Sequence, residues 1–220
     1  MRDFNQIFTI SADRKGGPDA LEELLTRPRS PAELAAIPED RWLAQMTKCI
    51  FQSGFNWKVV EAKWDGFEAT FHGFDPARNA MMSGEEFDAA IGNPAIIRNG
   101  AKIETIRANA AFILSLREKG GIGKVVGDWP STDYIGLLDL LKTEGSRLGA
   151  ATGQYAMRFM GRDGFILSRD VTARLMAEGV IDKPATSKKA MRAVQDAFNI
   201  WADQSGRGLT EISRVLAMSV

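Results

Sequence analysis

Residues 39–57 read EDRWLAQMTKCIFQSGFNW, and the spacing of their apolar side chains decides the fold class. Trp42, Leu43, Met46, Ile50 and Phe51 fall along one stripe at helical spacing, which predicts a helix over 39–52. Gly54 interrupts the pattern, and Asn56 then precedes WKVVEAKWDGFEATF, where Trp57, Val60, Trp64 and Phe67 recur at three and four. That predicts a second helix over 57–71, joined to the first by a tight aromatic turn.

The same signature repeats outward along the chain. Leu21, Leu24 and Leu25 give a helix within 18–26. Ser30 with Glu33 marks a start before Pro31, and Asp75 with Pro76 is a cap and first-turn pair. Ser83 opens a short helix. Residues 102–117 predict a longer one with Ile103, Ile106, Ala110, Ile113 and Leu114 on its buried side. Further helices are expected over 133–142, 152–160, 170–177, 187–204 and 210–218. The glycine-rich stretch 120–127, GGIGKVVG, follows no strand and lacks Walker spacing, so it reads as a connection between helices. There is no alternating strand pattern, no hairpin signal and no heptad. The expectation is an all-α fold of about ten short helices, in one module of 1–220 with approximate lobes 31–145 and 1–30 with 146–220.

Composition narrows the function. Lys plus Arg and Asp plus Glu both number 28, so the formal net charge is zero and binding of a polyanion by bulk charge is excluded. Charge is uneven, however: residues 147–192 hold nine basic and four acidic residues, a local net of +5. This is either scatter on a solvated surface or one face turned toward a polyanion. A single cysteine, Cys49, excludes an internal disulfide and a thiolate cluster. A single histidine, His72, excludes a multi-histidine zinc site and leaves one candidate imidazole. No apolar run approaches a membrane span, and the first residues lack an apolar signal core. The chain reads as soluble, cytoplasmic and free of cofactor and metal.

Three local features offer chemistry. The stretch 148–156, LGAATGQYA, is a hairpin of small residues between two helices. The free amides of Gly149, Ala150, Thr152 and Gly153 suit a phosphate, with Arg147 and Arg158 as reinforcing cations; the alternative is an ordinary helical hairpin. Residues 49–57 set Cys49, Phe51, Ser53, Phe55 and Trp57 around a helix boundary, as a stacking slot for a flat ring or as plain core packing. Asp170, two residues after Ser168, begins a helix either as a cap or as a carboxylate that stabilises a developing cation and orients water.

These segments together resemble the DNA-3-methyladenine glycosylase I family, within the wider helix-hairpin-helix DNA glycosylases. FQSGFNW at 51–57 is similar to the family's Gln-Ala-Gly-Leu-Ser-Trp. FHGFDP at 71–76 is similar to Phe-x-x-Phe-Asp-Pro, and IIRNGAKI at 96–103 with Asn109-Ala110 looks like Ile-Ile-Arg-x-x-x-Lys-Ile and its Asn-Ala pair. The resemblance is specific over about half the chain and weak over roughly 160–220. It implies a monomeric all-helical enzyme with a cleft between two lobes. Such an enzyme flips an alkylated adenine out of double-stranded DNA and hydrolyses its N-glycosidic bond. On that resemblance Trp57 is the stacking wall, Phe55 and Ser53 sit in the neighbouring turn, and the amides around Ala150 and Thr152 hold a backbone phosphate. Asp170 lies at about the separation from the hairpin at which the superfamily places its catalytic aspartate. Gln154 stands where lyase chemistry needs a lysine, so a monofunctional hydrolase is expected.

Two departures stand out. The family carries an acidic residue eight positions before the motif tryptophan, and here that position is Cys49. The family's zinc site of two cysteines and two histidines cannot be built from Cys49 and His72. The first departure supports an alternative reading, a catalytically weak or inactive DNA-damage-binding protein that keeps the fold. Zero net charge supports a third, a helical protein-interaction module without a DNA role.

Overall fold

Many helix starts fall where the sequence offers a side-chain oxygen to the free amides of a first turn. In a computed structural model describing residues 1–220, fifteen α-helices and three short 3-10 turns form the fold, with no strand. The helices are α1 (Phe4–Lys15), α2 (Pro18–Glu23), α3 (Pro31–Ala35), α4 (Glu39–Gln52), α5 (Trp57–Ala62), α6 (Trp64–Thr70), α7 (Pro76–Ala80) and α8 (Gly84–Gly92). They continue as α9 (Gly100–Ser115), α10 (Ile122–Asp128), α11 (Tyr134–Thr143), α12 (Ala150–Met160), α13 (Arg169–Ala177), α14 (Lys188–Ser205) and α15 (Leu209–Met218). Ser30 with Glu33 and Ser83 with Glu86 form reciprocal capping boxes. Asn56, Asp75 and Ser168 accept from the first-turn amides of Lys58, Arg78 and Val171. Each such cap stabilises its helix by about 1 kcal/mol.

Three elements differ from the sequence expectation. Asp3 and Gln6 form a further capping box that starts α1, a helix the apolar pattern does not announce. The helix expected over 57–71 is two, broken at Lys63 (φ −104°, ψ 6°). Beyond the break Trp64 stacks on Phe74 with ring centroids 5.3 Å apart and planes within 9°. The glycine-rich stretch is no connection, because residues 122–128 form α10. Gly123 and Gly127, four apart on one face, let α10 close on the backbone of α3. A Cβ at 123 would lie 2.4 Å from the Leu34 carbonyl oxygen, and one at 127 would lie 2.9 Å from that of Pro31.

The chain divides into two units. The first comprises residues 1–29, 129–138 and 161–220, and the second comprises 30–128 and 139–160. The first is built around Ile7, Phe165, Phe198, Trp201, Ile212 and Val215, with α1 and α13 both against α15. The second is built around Trp42, Met46, Phe51, Phe67, Ile106 and Ile113, with α4 packed on both α9 and α12. No helix is long and apolar enough to cross a membrane.

Candidate active site

Helix α9 positions the two halves of the site from one face. Lys102 and Asn109 are seven residues apart, two helical turns, so their side chains leave the helix in the same direction. Lys102 is only 6 % exposed, and its Nζ donates to the carbonyls of Ile50 (2.8 Å), Phe51 (3.3 Å) and Ser53 (2.5 Å), the free acceptors where α4 ends. A cation at a helix C-terminus is stabilised by the helix dipole. The same ammonium lies 4.6 Å from the ring centre of Phe55. Burial, and secondarily the charge of Arg147, lowers the Lys102 pKa. Two turns further along, fully buried Asn109 closes a two-way clamp on the hairpin. Its Nδ2 donates to the Ser146 carbonyl (3.1 Å), and its Oδ1 accepts from the Ser146 amide (2.7 Å).

The hairpin so held is tight. Arg147 (φ 56°) and Ala150 (φ 48°) both adopt left-handed backbone, at roughly 1–2 kcal/mol for a residue with a side chain. Gly153 sits so close to the hairpin that a Cβ there would lie 2.2 Å from the Leu148 carbonyl oxygen. On the other half, Gly54 (φ 79°) makes the turn that a side chain would strain, and Asn56 caps α5 so that Trp57 is its first residue.

Between these halves lies a recess of about 370 Å³, part of it open to solvent, lined by Cys49, Gln52, Ser53 and Trp57 on one side and Ala151, Thr152 and Tyr155 on the other. Trp57 is 46 % exposed and stands edge-on to Tyr155 (5.8 Å) and to Phe159 (6.1 Å), the T-shaped geometry that aromatic quadrupoles prefer. The Cys49 thiol is buried. Burial pushes its pKa up to about 11, against the smaller opposing effects of the Gln45 hydrogen bond (3.3 Å) and the Lys48 charge, so it is a neutral thiol at neutral pH. Gln52 is 6 % exposed. Its Nε2 donates to Glu61 at 3.4 Å, while its Oε1 is buried with no hydrogen-bond partner. Leaving such an acceptor unpaired costs about 1–3 kcal/mol.

Of the residues singled out from the sequence, Cys49, Ser53, Trp57 and Thr152 therefore meet in one recess. Phe51 is fully buried against Phe67 (4.6 Å, edge-on) and belongs to the core instead. Phe55 is partly exposed over Lys102 rather than in the recess lining. Gly149, Ala150, Gly153, Arg147 and Arg158 all lie in the hairpin or α12. Asp170 belongs to the first unit, in the opening turn of α13. Ser168 supplies the cap there, and the Asp170 carboxylate is half-exposed with Arg169 Nε at 3.4 Å. Gln52 and Tyr155 are further lining residues. Both stand inside the motifs quoted above, and the helical offset of three from Thr152 to Tyr155 is the signal that pairs them.

Two of the nine cations in 147–192 serve internal purposes. Arg162 is buried and donates to Ser131 and to the Trp129 carbonyl, and Arg174 is buried with Ser219 and Glu178. No group of three or more His, Cys, Asp or Glu side chains is arranged to hold a metal ion. His72 instead stands 4.0 Å from Glu86, and Cys49 is committed to the recess. The residues present do not fit the zinc that the family resemblance implies.

Residues 38–129 match the family model described as Methyladenine glycosylase. A DNA-3-methyladenine glycosylase of Haemophilus influenzae is 36 % identical over 69 residues, 31 % of this chain and 37 % of that protein. DNA-3-methyladenine glycosylase 1 of Escherichia coli (strain K12) is 35 % identical over 69 residues with the same coverage. The chain thus spans little more than a third of the length of the relatives it matches. Among solved structures, an 8-oxoguanine glycosylase/lyase of Methanocaldococcus jannaschii, in complex with a 15mer DNA containing 8-oxoguanine, superposes with a TM-score of 0.52 at 12 % identity. That match covers 96 % of this chain and 95 % of the other, a likeness of fold alone. The architecture is all-α and shares its fold with that glycosylase/lyase, and the similarity to the methyladenine glycosylase family model lies in residues 38–129.

Proposed function

We propose that this protein is a monofunctional DNA glycosylase of base-excision repair that releases an alkylated purine such as 3-methyladenine from double-stranded DNA. The observation that carries this reading is the recess itself. An exposed tryptophan and a tyrosine form an aromatic wall directly beside the small-residue hairpin, both braced from α9. The glycosidic bond is unreachable inside a duplex, so the damaged nucleotide is flipped into the recess while the amides of Gly149 to Gly153 and the Arg147 and Arg158 cations hold the backbone phosphates. N3-alkylation makes the base cationic, which draws it to the faces of Trp57 and Tyr155. It also makes the base a good leaving group. The C1′–N9 bond breaks with its electron pair going to the base, water oxygen bonds to C1′, and the water's proton passes to solvent. The protein's task is positioning more than acid catalysis.

Asp170 is the candidate that stabilises the cationic sugar and orients water. Ser168 already caps α13, which leaves the half-exposed Asp170 carboxylate without a capping task. Gln154, buried in α12, offers no amine for a Schiff base, in keeping with hydrolysis without strand cleavage. The reading has the protein acting as a monomer in the reducing cytoplasm, in keeping with a lone, buried thiol. The neutral Cys49 thiol favours one second reading, a damage-binding protein without turnover. The test is abasic-site formation on methylated duplex at substoichiometric protein. Wild type turns over repeatedly, and Asp170→Asn loses activity by about 100-fold or more with DNA affinity and melting unchanged. Undiminished activity in the variant removes Asp170 from the mechanism. Binding by wild type without any abasic site selects the second reading.

A further inference from the structure

Gln52 is the one lining residue of the recess that carries a buried polar atom with no partner. Its amide has two ends, and only one is engaged. Nε2 donates to Glu61 Oε1 (3.4 Å), and Glu61 is itself held by Lys48 Nζ at its other oxygen (3.0 Å). A carboxylate accepts and never donates while ionised, so turning the Gln52 amide over would set oxygen against oxygen. Lys48 and Glu61 therefore fix which end of the amide remains free, and the free end is an acceptor. Cys49, the neighbouring lining residue one helical turn back, adds no competing acceptor. Its sulfur already takes the Gln45 Nε2 hydrogen bond, which leaves the thiol hydrogen to donate.

Nucleobases differ in what they present at the six-position. An adenine-type ring offers an amino donor there and an acceptor at N7, whereas a guanine- or hypoxanthine-type ring offers an oxygen acceptor. We propose that Gln52 is the specificity-determining residue of the recess: its Oε1 accepts from the six-amino group of a flipped purine and rejects a six-oxo purine, with Glu61 as the positioning residue that fixes the amide's orientation. The inference rests on the glycosylase reading and adds the substrate discrimination to it. The free acceptor is satisfied when a six-amino ring enters, and a six-oxo ring leaves two acceptors facing each other. A site built to hydrogen-bond a group discriminates far more strongly against its absence than an apolar pocket does.

The test titrates the full chain calorimetrically with free 3-methyladenine and with free 3-methylhypoxanthine, which differ in that substituent and in the ring-nitrogen proton that accompanies it. Wild type is expected to favour the six-amino base by at least about tenfold. Gln52→Leu, which removes the acceptor, and Glu61→Gln, which keeps the shape but permits either amide orientation, should each reduce the preference to within about threefold. Their melting temperatures should stay close to wild type. Glu61 is half-exposed, so its variant decides the matter if Gln52→Leu fails to fold. An equal affinity of wild type for both bases, or a preference that persists in folded Glu61→Gln, overturns the assignment of Gln52 while leaving the glycosylase reading in place. Failure of wild type to bind either base overturns that reading and this inference with it.

Discussion

Cys49 and Trp57 show how the recess divides its work between electrostatics and stacking. A carboxylate at position 49 would attract a cationic ring by charge; a thiol with its pKa near 11 does not. Attraction then falls to the aromatic faces and the neutral acceptors around them. Trp57→Ala is accordingly expected to reduce the preference for alkylated over undamaged duplex by about 1–3 kcal/mol, the usual worth of one base–aromatic stack. Competition binding with the two duplexes measures it, and an equal loss on both would make Trp57 a packing residue. The unpaired oxygen of Gln52 belongs to this scale too. No sequence pattern reveals it, because it is defined by the orientation that Glu61 imposes from nine residues away.

Individual helices explain what is legible in the sequence and what is not. Starts at Ser30, Asn56, Asp75, Ser83 and Ser168 are readable because a cap is a local bargain between a side chain and amides two or three residues on. Helix α10 is not, since Gly123 and Gly127 look like loop glycines until α3 is laid against them. Alanine at 123 gains up to about 1 kcal/mol of helix propensity, but its Cβ meets the Leu34 carbonyl. Gly123→Ala is therefore expected to destabilise by about 1–3 kcal/mol net, seen as a melting temperature lower by several degrees; a rise would show that the helix shifts freely. The site follows the same rule. Cys49, Ser53 and Trp57 share a motif, and the Lys102–Asn109 spacing is visible in the sequence. What the spacing holds together, the end of α4 and the hairpin, emerges only from long-range contacts. Phe51 is assigned to the slot by proximity in sequence, yet it faces the core because its helical phase matches that of buried Ala44 and Thr47, seven and four residues before it.

At the scale of the whole chain, zero net charge hides a division between cations that hold the fold and cations that remain at the surface. Arg2 and Arg174 converge on buried Glu178. The Arg2 backbone amide and guanidinium both donate at 2.8 Å, and Arg174 donates at 3.3 Å. Burial alone would raise the Glu178 pKa, but these hydrogen bonds and charges outweigh it and hold the pKa below the ordinary carboxylate value. A depressed folded-state pKa adds stability above the unfolded value of about 4.3, and that stability is lost as pH falls through the folded value. Glu178→Gln should therefore lower the urea midpoint at pH 7, with the gap from wild type closing as pH drops below about 4. A gap independent of pH would mean that the carboxylate's charge plays no part. The central claim is tested most directly by incubating the protein with methylated duplex DNA and identifying the free bases by mass spectrometry. The account predicts release of 3-methyladenine over several turnovers; intact DNA binding with no base released would contradict it.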